Sequence, residues 1–410
     1  MDPTPTPLDG RRRDLTLLAV LRGVSFLGDF TALTALFLRL APAHHPWAIA
    51  ALSIAGALPL VLLAPVGGTV VDRFPAKRLL VWLGLAEAAV CVGLGLWHGL
   101  VATLLLMLAL SCLIAFSMPG YTAMIPTIAG EDQVARAQGL IQATQGLASV
   151  IGPVLGGLLV GSTGQTWPLI VDAASFALSA VATTALKRDR VPSPATTIGD
   201  IEAPHEGWMA GVQFLMGDGL LRPIEILVAV FMLSLGMINV AEVFFITQTL
   251  HGSATDYGLV GTAFGAGLVV GSILAQRLKQ DLASLARVVV VGIVAIGALI
   301  GVVGLVSHVG LVYPPLALAG IAVGFTNVSA MTLFTVRTPE RLRGRVFAAV
   351  GGIITSSEIA ATALGGLVLT VIAPRTVFQV GGLLATVCSL VLGPLALRAS
   401  ARTHALEAVA

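Results

Sequence analysis

Gly68-Thr69-Val70-Val71-Asp72-Arg73-Phe74-Pro75-Ala76-Lys77-Arg78-Leu79-Leu80 is a short charged turn between two long apolar runs. Before it, Trp47 to Val71 carries no charge at all; after it, apolar residues resume at Leu79. A helix needs roughly 20 apolar residues, at about 1.5 Å each, to cross a hydrocarbon core of about 30 Å. Both flanking runs reach that length, so the turn reads as the connection between two membrane-spanning helices.

The same pattern continues outward in both directions. Of the chain, 56% is hydrophobic and only 11% charged, with a mean hydropathy of +0.95, which excludes an ordinary soluble domain. Gly99 to Gly130, Gly139 to Val171, Tyr257 to Gln276, Val288 to Val336 and Thr376 to Leu397 are also free of charge. Cutting the apolar runs at their Gly, Pro, Ser and His punctuation predicts twelve spans: 15-40, 48-71, 79-98, 100-124, 136-160, 166-186, 222-250, 256-276, 286-306, 311-334, 345-371 and 376-397. An even number of crossings places both termini on one side of the bilayer. Of the 23 Lys and Arg residues, only Arg39 and Arg375 fall opposite. Positive charge is retained in the cytoplasm during insertion, so the Arg11-Arg12-Arg13 tail, the 187-221 segment and the C-terminus are expected to be cytoplasmic.

This divides the chain into a cytoplasmic N-tail (1-14), a six-helix bundle (15-186), a cytoplasmic linker (187-221), a second six-helix bundle (222-397) and a C-tail (398-410). The halves are related. Leu155-Gly156-Gly157-Leu158 matches Leu364-Gly365-Gly366-Leu367, and Arg136 matches Arg345 at the same offset. Gly67-Gly68 through Asp72-Arg73 also aligns with Gly271-Ser272 through Gln276-Arg277. An internal duplication of this kind builds transporters that bind at the bilayer midplane between two rocking halves.

The opening turn resembles the cytoplasmic signature between helices 2 and 3 of the major facilitator superfamily, G-x-L-A-D-R-x-G-R-K-x-x-L, with Gly68, Asp72, Arg73, Lys77 and Leu80 in register. The resemblance implies an all-α integral membrane fold of twelve transmembrane helices in two pseudo-symmetric six-helix halves. In the fifth span Gly139, Gly152, Pro153, Gly156 and Gly157 follow the G-x8-G-x3-G-P-x2-G-G pattern of the drug and proton antiporter branch, with Ala148 at the second glycine. That pattern implies export rather than uptake. Pro339 to Val346 resembles the corresponding loop of macrolide-efflux and enterobactin-exporter type members. The departures are Pro75-Ala76 in place of Gly-Arg, Gln276 in place of Asp in the second copy, and the absence of an arginine from the fourth span.

Candidate functional residues follow from these two readings. Asp72 is expected to act with Gly68, Arg73 and Arg78 as a conformational latch at the helix ends, whereas Lys77 and Arg78 are read as topology determinants. An ionisable group inside a span costs roughly 2.5 to 3.5 kcal/mol at the bilayer centre and needs a partner or a function. Arg22, Ser25 and Asp29 lie at i, i+3 and i+7 on one helix face. Asp29 either exchanges a proton there or is held ionised by Arg22 as a structural pair. Glu242, with Asn239 one turn before it, and Glu358, flanked by Thr355 and Thr362, are candidate substrate or proton ligands in the second half. Gln138, Gln142, Gln145 and Ser149 form a polar stripe that either lines a wet cavity or bonds neighbouring helices. Glu87 and Asp172 are expected to make buried hydrogen bonds in peripheral spans, and Glu225 to favour the N-terminus of the seventh.

Other functions are disfavoured. The apolar run after the N-terminal arginines is too long for a signal peptide and contains Asp29. Cys91, Cys112 and Cys388 have the odd number and the spacing of neither a disulfide framework nor a metal site, and His44, His45, His98, His251 and His308 scatter through outer loops. The formal charge of +2 reflects loop bias, not a nucleic-acid surface. The expectation is a monomeric exporter in a bacterial inner membrane, with no cofactor and no enzymatic activity. Its partners are a small amphipathic organic substrate, protons and the lipid bilayer. The alternative is a facilitator or importer of a small solute, ahead of a membrane-embedded sensor or enzyme.

Overall fold

The computed structural model describes residues 7–41, 46–130, 133–186, 204–278 and 281–407. The described residues are helical throughout: α1 (Pro7–Leu40), α2 (Pro46–Arg73), α3 (Ala76–Leu96), α4 (Leu100–Ala129), α5 (Val134–Thr163), α6 (Thr166–Thr184), α7 (Pro204–Gly217), α8 (Leu221–Phe244), α9 (Ala254–Ala275), α10 (Leu282–Val303), α11 (Tyr313–Arg337), α12 (Glu340–Val368) and α13 (Pro374–Glu407). A π-helical turn, Phe245–Thr249, extends α8. Among these residues twelve helices are long and apolar enough to cross a membrane, and they coincide with the twelve predicted spans to within a few residues, the second falling within α2. Helices are the form the sequence requires, because in hydrocarbon every backbone N–H and C=O must be satisfied within its own segment.

The chain forms two compact units. The first contains 1–44, 51–200 and 253–262; the second contains 45–50, 201–252 and 263–410. In the first, α1 packs on α5 and α6, and α3 on α4 and α6. In the second, α8 packs on α12 and α13, and α10 on α11 and α13. The internal pairing of one unit is thus repeated in the other, element for element.

Among the described residues there are thirteen α-helices, not twelve, because the 187-221 segment, expected as a linker, contains α7. Leu215 of α7 is fully buried, and at Gly211 an added Cβ would collide with the backbone carbonyl of Arg345, so α7 lies tightly on α12. The apolar spacing from Gly211 to Leu215 suits a helix docked on one side. It was masked by the Pro, Thr and acidic residues that precede it.

Several helix ends are closed by basic side chains. Arg39 Nη1 donates to the Leu94 carbonyl at 2.6 Å, near the end of α3, and Nη2 to that of Gln165 at 3.4 Å. Arg375 Nη1 and Gln379 Nε2 donate to the Gly304 carbonyl that ends α10, at 3.4 and 3.0 Å. Through Leu94 and Gly304, the two arginines that depart from the expected cytoplasmic bias therefore bind carbonyls at the C-terminal ends of α3 and α10. Lys77, read from sequence as a topology determinant, does the same: its Nζ donates to Leu186 O at 2.6 Å and Thr184 O at 3.3 Å, closing α6.

Candidate functional site

Three features of the first unit bring chemistry together. α1 contributes Arg22, Ser25 and Asp29; Ser25 is buried and Asp29 is partly exposed. Arg22 is only 9% exposed, and its guanidinium carbon lies 4.3 Å from the Phe26 ring centroid and 4.6 Å from that of Tyr121 on α4. Cation–π contacts of this kind contribute about 0.5 to 2 kcal/mol. Among the described residues Arg22 makes no hydrogen bond or ion pair, so the structural Arg22–Asp29 pair is not formed. Seven residues of helix, about 10.5 Å of rise, separate the two Cα atoms. Asp29 nevertheless remains within Coulombic reach of Arg22, and also of Glu87 on α3 and Asp172 on α6.

Glu87 is 2% exposed and accepts a hydrogen bond from Ser117 Oγ of α4 at 2.7 Å. Asp172 is 1% exposed; the Cys91 thiol of α3 points to its Oδ2 at 3.4 Å, and Ser175 Oγ lies 3.3 Å from its Oδ1. The Asp172 carboxyl sits directly over Gly28, where any side chain would collide with it. Gly28 therefore lets the α6 acid approach the α1 backbone one residue from Asp29. The expected buried hydrogen bonds of Glu87 and Asp172 are present. Sequence reasoning did not place these two acids beside Asp29. Its only signal was one acid in a helical polar stripe on each of α3 and α6: Glu87 with Cys91, and Asp172 with Ser175 and Ser179.

The fifth-span glycines have distinct neighbours. An added Cβ at Gly156 would come within 2.8 Å of Thr31 O and Thr34 Cβ of α1, and one at Gly152 would collide with Phe30 Cβ. Thr31 Oγ1 donates to Gly152 O at 3.2 Å across the same crossing. Gly157 meets the Ala254 carbonyl, and the Pro153 carbonyl faces Gly258, so the Gly-Pro and the last glycine serve a second contact, with residues 254–261. Gly139 faces open space, which removes it from the close-packing role the motif implied.

The remaining candidates do not join the acid cluster of the first unit. Gln142 is exposed and Gln145 half-buried, while Ser149 Oγ returns to its own helix at Gly146 O, 2.8 Å away. In the second unit Glu242 is half-buried and Asn239 exposed, and Glu358 is exposed beside half-buried Thr355. Gly68 and the Asp72 side chain, at the centre of the expected latch, lie outside the described residues; Arg73 and Arg78 are exposed. Glu225 does not act at the N-terminus of α8. Its two carboxyl oxygens are buried without a hydrogen-bond partner among the described residues, and the backbone amides of Leu220 and Leu221 are bonded instead by Asp218 Oδ1, at 2.8 and 2.9 Å. Among the described residues no set of His, Cys, Asp and Glu side chains is arranged to hold a metal ion.

Comparison with known proteins bears on this frame. The chain is 24% identical over 393 residues to the uncharacterized MFS-type transporter YfiS of Bacillus subtilis, covering 94% of each protein. It is 26% identical over 351 residues to the enterobactin exporter EntS of Citrobacter koseri, covering 80% of this chain and 77% of that one. Its fold is similar to that of a bacterial homologue of the human lysosomal transporter Spinster, in an inward-facing and unoccupied conformation, with a TM-score of 0.68 at 14% identity over 97% and 98% of the two chains. The nucleoside transporter NupG aligns with a TM-score of 0.67, also at 14% identity, over 93% and 98%. The family described as transmembrane secretion effector, MFS_3, matches residues 24–409. With twelve spans, this fold and a family match over nearly its whole length, the chain belongs to the transmembrane secretion effectors of the major facilitator superfamily and is a secondary transporter, not an enzyme.

Proposed function

We propose that this transporter is a secondary active exporter of an amphipathic organic compound, of the siderophore or antibiotic class, driven by proton antiport through alternating access. It works as a monomer in a bacterial inner membrane with both termini cytoplasmic. The secretion family and the enterobactin exporters among its relatives support export and favour a siderophore. The observation that carries the coupling is Asp29: a carboxyl inside a membrane span, partly exposed, with neither a hydrogen bond nor an ion pair among the described residues to hold it ionised.

The experiment is uptake into inverted membrane vesicles of a catecholate siderophore and of a small panel of antibiotics, with and without an acid-inside pH gradient. Uptake that follows the gradient and stops when a protonophore collapses it is the expected result. Uptake that ignores the gradient would assign facilitated diffusion instead.

A further inference from the structure

Arg22, Asp29, Glu87 and Asp172 do not balance as ionised groups. One guanidinium and three carboxylates leave two uncompensated negative charges among α1, α3, α4 and α6. Each charge at the bilayer centre costs roughly 2.5 to 3.5 kcal/mol on insertion scales. Glu87 and Asp172 are each the sole acid of their membrane spans, and both are almost completely shielded from solvent. Among the described residues no group of three His, Cys, Asp or Glu side chains is arranged to hold a metal ion that would supply the missing charge.

Arg22 gives an independent indication. Its side chain is nine-tenths buried and rests on the faces of Phe26 and Tyr121, and its charge reaches Asp29 and Glu87. Its five N–H donors are unused by the described residues. It is a fixed positive charge that no carboxylate has neutralised by contact. The helices around it add Tyr121 from α4, Cys91 and Glu87 from α3, and Asp172 from α6; α5 faces α1 with Thr144, Gly152 and Gly156, none of which titrates.

We infer that these four residues form one proton-binding site within the first unit, in which Glu87 and Asp172 are held protonated and Asp29 is the carboxyl that exchanges a proton with solvent. The hydroxyl partners fit protonated acids. Ser175 has one proton, and the Asp172 backbone carbonyl, 2.8 Å away, is a closer acceptor for it than Oδ1 at 3.3 Å. With that proton on the backbone, Ser175 Oγ accepts from an Asp172 O–H. Ser117 Oγ has Glu87 Oε1 at 2.7 Å as a closer acceptor than the Ile114 carbonyl at 3.4 Å, and its bond to Oε1 leaves the other carboxyl oxygen of Glu87 to carry the acid's own proton. With two acids neutral, the Arg22 charge is opposed by Asp29 alone. A hydronium ion then transfers its proton to the Asp29 carboxylate, leaving water, and the site changes from neutral to singly positive. That is the charge change an antiporter can use. The link to transport rests on the antiport reading above, whereas the protonation states do not.

Infrared difference spectroscopy of the full chain in lipid tests this without a substrate, by following the carbonyl stretch of protonated carboxyl groups. At neutral pH, wild type minus Glu87→Gln and wild type minus Asp172→Asn are each expected to show the loss of one protonated carboxyl band. Wild type minus Asp29→Asn should show a band that grows in as the sample is acidified and is lost as it is made alkaline, while the Glu87 and Asp172 bands hold. Ser175→Ala, which keeps the acid and removes its partner, should shift the Asp172 band in frequency, and serves if Asp172→Asn does not fold. Blank difference spectra for Glu87→Gln and Asp172→Asn, with an unshifted band in Ser175→Ala, would overturn the proposal. So would a band lost with Asp29→Asn that does not change with pH. Gradient-independent vesicle uptake together with the expected spectra would refute antiport and leave the proton site standing; gradient-driven uptake with blank spectra would do the reverse.

Discussion

Asp218 accepts a hydrogen bond from Arg337 Nε at 2.9 Å through one carboxylate oxygen while its other oxygen caps α8 through the amides of Leu220 and Leu221. A single acid thus ties the start of α8 to the end of α11, and the Asp218 side chain is only 9% exposed. Removing a helix cap costs about 1 kcal/mol, and the charge-assisted bond adds to that. Asp218→Ala should lower the thermal midpoint of the purified protein in detergent, and Asp218→Asn, which keeps the capping oxygen, should recover part of the loss. Equal midpoints for all three proteins would remove the cap from the account.

The α1–α5 crossing makes a contrast between glycines of one motif. Gly152→Ala and Gly156→Ala force a Cβ into α1 and should each destabilise by about 1 to 3 kcal/mol, the usual range for overpacking. Gly139→Ala meets nothing and should be neutral or slightly stabilising, since alanine is the better helix former. Fluorescence-detected size-exclusion after a heat step orders the three. A Gly139→Ala protein as impaired as Gly156→Ala would contradict this packing.

Lys77 and Arg78 are adjacent and of equal charge, yet only Lys77 reaches the carbonyls that end α6. Lys77→Gln is expected to destabilise by about 1.5 to 3 kcal/mol, the range for hydrogen bonds to charged groups, and Arg78→Gln by less than about 0.5 kcal/mol. Were the two residues topology signals alone, both variants would behave alike in a stability assay.

Glu225 presents the opposite case, a carboxyl whose two buried oxygens have no partner among the described residues. Replacing a buried unsatisfied polar group by an apolar one of similar size is neutral or stabilising. Glu225→Leu should therefore keep or raise the melting temperature. If it lowers transport at unchanged expression, the unsatisfied carboxyl is retained for function; if it lowers stability, Glu225 has a partner that this conformation does not display.

Asp29→Asn separates coupling from folding. It leaves the α1 packing intact but removes the exchangeable carboxyl, so gradient-driven accumulation in inverted vesicles should fall to the level seen without a gradient while membrane expression holds. Accumulation at wild-type level would make Asp29 structural.

The twelve crossings were legible from composition and hydropathy because lipid imposes the same demand on each residue in turn: about 20 apolar residues in a row, with every backbone group satisfied locally. The uncharged run predicted as the fourth span, 100-124, lies in one helix, which continues to Ala129. The duplication showed in Leu-Gly-Gly-Leu and its copy, since close helix crossings accept few residue types. Which faces meet is a different kind of fact. Gly28, between Leu27 and Asp29 in an apolar run, gives no sign in sequence that it admits the Asp172 carboxyl from α6. Nor does the charge on Lys77 announce the carbonyls of Thr184 and Leu186 that bind it, which are more than one hundred residues away in the chain. Hydropathy is a local, one-dimensional property and fixes crossings; the rotation of each helix is fixed by packing against its neighbours. The three acids of the first unit could therefore each be read from the sequence, but only the tertiary structure made them one site.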